Sequence, residues 1–177
     1  MKDLIKQRLR ENLINELGTA MPVPYHMEDV YDEVEQGVLT LKEVFFFFKV
    51  GSELIKCYFK LVENPIVNGA HQCSYSFEFD SNSDKTLSND IKTIFSKMMT
   101  IKEVIEYFIK NFKANYENKR NILYRIAVIG AAESGKGENQ STETQRTKLY
   151  DYFYKKFKHP DFKYIKNGNI LVLQRNL

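Results

Sequence analysis

Apolar and polar residues alternate along much of the first half of the chain and recur at helical spacing in the second. In Glu53–Val62, Ile55, Cys57, Phe59 and Leu61 share one face while Lys56, Tyr58 and Lys60 share the other, the period of a strand. His71–Asp80 alternates as cleanly, with Cys73, Tyr75, Phe77 and Phe79 set against Gln72, Ser74, Ser76 and Glu78. Glu43–Val50 contains four consecutive phenylalanines, which predicts a central strand covered on both faces. A weaker strand falls within Val30–Leu41, interrupted by Gly37. Gly51-Ser52 is a Gly-first hairpin signal between the second and third strands. MPVPYH, residues 21–26, reads as a linker because its prolines block regular structure, and NPIVNGA, residues 64–70, reads as a loop.

Helical spacing appears three times. Ile5, Leu9, Leu13 and Leu17 predict a helix over residues 3–17, stopped by Gly18. Ile91–Lys113 places Ile94, Phe95, Met98, Ile101, Val104, Ile105, Phe108 and Phe112 on one stripe. A third helix is expected from Thr142, whose spacing to Gln145 suits a capping box, with Leu149, Tyr150, Phe153, Tyr154 and Phe157 facing inward. Ile122–Ile129 is an apolar strand before it, and Phe162–Lys166 with Ile170–Arg175 closes the chain as a hairpin turning on Asn167-Gly168. These elements predict one domain over residues 1–177: an N-terminal helix in 1–20, an antiparallel meander in 28–80, and helix, strand, helix and hairpin in 91–177. The expected class is α+β, a mixed and mostly antiparallel sheet with helices packed on its faces.

Composition narrows the function classes. Hydrophobic residues make up 43% and charged residues 28%, as in a soluble globule. The net charge of +3 is too small to argue for nucleic acid, but it is unevenly spread. Tyr25–Phe45 carries Glu28, Asp29, Asp32, Glu33, Glu35 and Glu43 against Lys42. From Arg146 onward the chain is basic: Arg146, Lys148, Lys155, Lys156, Lys158, Lys163, Lys166 and Arg175 against Asp151 and Asp161. Arg146, Lys148, Lys155 and Lys156 are therefore the candidate partner-binding residues, and nucleic acid could meet the same basic end. Cys57 and Cys73 sit at core-facing parity with no paired spacing, so buried free thiols are expected and no metal site is. No apolar run approaches a membrane span and the N-terminus is charged throughout, which predicts a protein with no membrane partner and no secretion signal of its own.

Gly130-Ala-Ala-Glu-Ser-Gly135-Lys136-Gly137 has the glycine spacing of a nucleotide-binding phosphate loop and follows an apolar strand. There Lys136 would meet the phosphates. Gly137 stands where a metal-holding hydroxyl is needed, and GENQS separates the lysine from the next helix cap. A flexible loop rich in turn formers accounts for the segment better.

The order of elements from the meander onward, with Gln145-Arg146-Thr147-Lys148-Leu149-Tyr150, resembles the GNAT-type N-acetyltransferases. That resemblance implies a GNAT-like strand–helix order, acetyl-CoA as cofactor and Tyr150 as general acid, with Glu78 a base by position. The family's glycine-bearing pyrophosphate loop is replaced here by SNSDKTLSND, which has no glycine to let backbone N–H groups approach a pyrophosphate. SYSFEF, EVIEYFIKNF, ILYRIAVIG and RTKLYDYF are also similar to segments of small uncharacterised proteins of tailed bacteriophages. Together these imply a non-enzymatic binding protein with no cofactor, acting on a host or virion protein in the host cytoplasm or the particle. The acyl-CoA-dependent N-acyltransferase is the alternative, and nucleotide binding through Lys136 a weaker one.

Overall fold

Alternation turns most of the chain into a single sheet. The computed structural model describes residues 21–81, 91–129, 145–156, 158–168 and 170–176. The expected helix over residues 3–17 and the Gly130–Gly137 loop lie outside them. Five strands come first: β1 (Tyr25–Glu35), β2 (Val38–Val50), β3 (Glu53–Glu63), the short β4 (Ile66–Val67) and β5 (Ala70–Ser81). Helix α1 (Ile91–Asn115) and a 3-10 turn (Glu117–Lys119) lead to β6 (Asn121–Ile129). Helix α2 (Gln145–Lys156) precedes the hairpin of β7 (Phe162–Asn167) and β8 (Ile170–Arg175). The strands lie in the order β1-β2-β3-β5-β6-β8-β7, with β4 paired to β5. Among the described strands only β5 and β6 run parallel, and α1 connects them.

The expected class is corrected by this arrangement. Eight strands in one sheet stand against two α-helices among the described residues, so the molecule is sheet-dominated rather than a sheet layered by helices on its faces. The side chains of α1 and α2 reach the sheet from one side alone: Phe108 stacks on Phe59 of β3 at 3.8 Å, and Tyr150 meets Phe79 of β5 edge-on at 5.4 Å. No described helix covers the opposite face. The GNAT-like layering falls with that expectation, because both described helices lie on one side of the sheet.

Local differences have local causes. Gln36 and Gly37 both take positive φ, 52° and 78°, so Gly37 makes a tight turn instead of interrupting a strand. The strand expected within Val30–Leu41 is therefore the end of β1, a turn and the start of β2. Pro24 ends the expected linker earlier than MPVPYH suggests, and β1 begins at Tyr25. Phe46 and Phe48 of β2 are buried, but Phe45 and Phe47 are half-buried, so this strand is not covered on both faces.

The core gathers on the helix side. Phe46, Phe59, Phe77, Phe108 and Phe112 are fully buried there, each such ring worth about 1.5–3 kcal/mol by transfer. Tyr75 closes the cluster by donating its hydroxyl to the Leu41 carbonyl at 2.7 Å. Asn121 donates its side-chain amide to the carbonyls of Leu39, at 2.8 Å, and Tyr116, at 3.2 Å, tying the start of β6 to β2. Cys57 and Cys73 are free and buried, as their parity implied.

Candidate docking surface

The other side of the same strands carries a cluster of rings. Register places His26 of β1 opposite Phe47 of β2, and Phe45 of β2 opposite Tyr58 of β3, all on the face that no described helix covers. His26 and Phe47 stack at 5.7 Å with their planes 23° apart. Tyr31 meets Phe45 edge-on at 6.0 Å, and Phe45 lies 5.9 Å from Tyr58. Cross-strand pairs of this kind stabilise a sheet by about 0.2–1 kcal/mol each. They hold the rings in place without burying them fully: Phe45, Phe47 and Tyr58 are half-buried and Tyr31 is 54% exposed.

Charges surround the rings. Lys56 Nζ sits 4.3 Å from the centre of the Phe45 ring and 5.8 Å from that of Phe47, within cation–π range. Lys60 pairs with Glu43 at 3.4 Å. The Tyr58 hydroxyl donates to the Glu78 carboxylate, and that hydrogen bond, with some burial, pushes the phenol up to about 12. A ring centre with a charged margin is the usual anatomy of a protein contact surface.

The sequence-derived site residues are dispersed. Tyr150 is buried on the helix side of the sheet, against Phe79. Glu78, the residue before Phe79, points to the opposite face, so β5 itself separates the acid and the base that an acyltransferase would need close together. The β5–β6 ladder is continuous from His71↔Asn121 to Phe77↔Val128, with one register shift, and shows no opening between the strands along that length. Lys136 lies outside the described residues. Arg146 and Lys148 belong to α2, but their side chains and that of Lys156 are outside the description.

Lys155 is engaged internally. Asp151 accepts from Lys155 at 2.8 Å, from the Tyr164 hydroxyl at 2.6 Å and from Lys166 at 3.3 Å. Burial opposes the charge on Asp151, but those three donors outweigh it and hold the carboxyl below its ordinary range. The knot joins α2 to β7, which is a structural task.

Other groups with catalytic potential are disarmed. Cys73 donates weakly to the His71 carbonyl at 3.8 Å and to Asn121 Oδ1 at 3.6 Å, and burial pushes its thiol up to about 12. A thiol so protonated is a poor nucleophile. A cleft between the helices, lined by Met98, Ile101, Lys102, Ile105, Phe153 and Tyr154, offers little polar chemistry. Among the described residues no three His, Cys, Asp or Glu side chains gather as a metal site, and no helix is long and apolar enough to cross a membrane.

The chain has no match among protein-family models, curated proteins or solved structures. The ring cluster therefore has to be read on its own geometry. Sequence reasoning missed it because Tyr58 stands between two lysines and the phenylalanine run reads as core. The signal available was parity: Phe45 and Phe47 cannot share a face with Phe46 and Phe48 in a strand.

Proposed function

We propose that the protein acts by binding a protein partner rather than by catalysis, and that the uncovered face of β1–β3 is its contact surface. The observation that carries this reading is the cluster of His26, Tyr31, Phe45, Phe47 and Tyr58 on a face without a described helix over it. Aromatic residues dominate the energetics of contact surfaces, because rigid rings gain large area at little entropic cost. The placement of Tyr150 and Glu78 on opposite faces of β5 leaves the acyltransferase alternative without an assembled acid–base pair. On the resemblance to phage proteins, the partner is a host or virion protein.

The test compares retention of a partner by three forms of the full chain: wild type, Phe45→Ser/Phe47→Ser, and Lys163→Glu as a control on the far edge of the sheet. The proposal expects the same partner on wild type and on Lys163→Glu, and its loss from the double variant with the circular dichroism spectrum unchanged. Equal retention by all three would overturn it.

A further inference from the structure

We propose that the segment bound there is an extended, lysine- and arginine-rich stretch of the partner, which lies along the outer edge of β1 and adds a strand to the sheet. This inference rests on the docking face above and states what that face takes.

Among the described residues, strand β1 ends the sheet and pairs with β2 alone. Half of its backbone N–H and C=O groups therefore point away from β2, the arrangement that strand addition exploits. Two residues of β1, Glu28 and Asp29, stand opposite a single residue of β2, and this one-residue excess bulges the strand, but Val30–Glu35 continues without another insertion in β1. That stretch is the pairing length on offer.

Charge selects the occupant. Tyr25–Glu35 holds Glu28, Asp29, Asp32, Glu33 and Glu35 and no lysine or arginine. Some of these carboxylates are engaged: Glu35 with Lys42 and Asn64, Asp32 with the Tyr116 hydroxyl at 3.3 Å, and Glu28 with His26 at 3.4 Å. Asp29 is exposed, and Glu33 is 69% exposed despite Lys42 at 3.8 Å. Helix α1 brings Glu103 and Glu106 near the start of β1, where both act on Tyr25, and Lys102 pairs with Glu106 at 2.7 Å. An edge of this sign repels a second β1 and repels phosphate, so neither a symmetric copy nor a nucleic acid strand fits it.

The rings point the same way. Lys56 already sits over Phe45, which shows that this cluster accepts a cation on its face. Tyr31 and Glu33 lie on the uncovered face, so every second side chain of an added strand would stand beside a ring and a carboxylate. The intervening side chains would stand beside Val30 and Val34, both exposed, on the other side. The favoured sequence therefore alternates basic and aliphatic residues.

The experiment is fluorescence anisotropy with the full chain and four labelled peptides: alternating Lys-Val, alternating Arg-Val, alternating Glu-Val, and the Lys-Val peptide with prolines in place of alternate valines. Both cationic peptides should bind saturably and the acidic one should not. Proline substitution and the protein variant Asp29→Lys/Glu33→Lys should each weaken binding by roughly tenfold or more, since one removes strand pairing and the other the charge. No saturable cationic binding, or equal binding of the proline peptide, would overturn the proposal. So would concentration-dependent self-association abolished by Lys163→Glu/Lys166→Glu, which would make the occupant β7 of a second copy. If Phe45→Ser/Phe47→Ser sheds the partner but no cationic peptide binds, the cationic strand fails and the docking face stands. Retention of the partner by that variant would remove the docking face instead.

Discussion

The two faces of this sheet are built from the same strands and differ in what happens to their aromatic residues. On the helix side, Phe46, Phe59 and Phe77 lie at 1% exposure or less under α1. On the other side, Phe45, Phe47 and Tyr58, neighbours of those residues in sequence, meet rings of the adjacent strands and a charged margin, with no described helix over them. Aromatic content alone therefore does not separate core from contact surface. The deciding quantity is whether a second layer reaches that face, and among the described residues both helices lie on one side.

The comparison breaks hardest on the covered side. Phe59→Ala removes the ring stacked on Phe108, and a buried Phe→Ala change costs about 3–5 kcal/mol. Urea unfolding should show that loss, and a loss no larger than that of Phe47→Ser would erase the distinction between faces. The Asp151 knot comes next. Asp151→Ala strips a shared acceptor from Lys155, Tyr164 and Lys166 and should cost about 1–3 kcal/mol.

Asp151 also predicts a pH dependence. Its folded pKa lies below the unfolded value of about 3.9, so its stabilisation is present above that value. The stabilisation is lost as pH falls through the folded pKa. The wild-type and Asp151→Ala melting curves should therefore converge on acidification below pH about 4, and parallel curves would contradict the assignment.

Changes on the uncovered face should be mild for stability and severe for binding. Phe47→Ser should cost about 1 kcal/mol or less, the scale of cross-strand ring contacts. Smallest of all is the effect of Glu78→Gln. It should bring the Tyr58 hydroxyl down from about 12 toward the ordinary tyrosine range, as followed by NMR of labelled tyrosines. An unmoved titration would show that Glu78 does not set it.

Much of the element order was legible. Alternation located β3 and β5, helical spacing located α1, and Asn167-Gly168 located the last hairpin. The parity of Glu78 against Phe77 and Phe79 already placed it away from the core, which is why it cannot face Tyr150. Three things were not legible. The turn at Gly37 was hidden because β1 is too charged to read as a strand, and its pairing to β2 overrides its composition. The ion network around the buried Asp151, which engages the exposed Lys155, depends on β7, which approaches through tertiary packing. The uncovered face was invisible because period-two alternation says which residues share a face, and says nothing of what lies on top of it.

Hydroxyl-radical footprinting of the free chain tests the central claim most directly. Tyr31, Phe45, Phe47 and Tyr58 should be oxidised well ahead of Phe46, Phe59 and Phe77, with the cationic strand then protecting the first group. Phe45 and Phe47 as slow to react in the free protein as Phe46 would mean that this face is already covered.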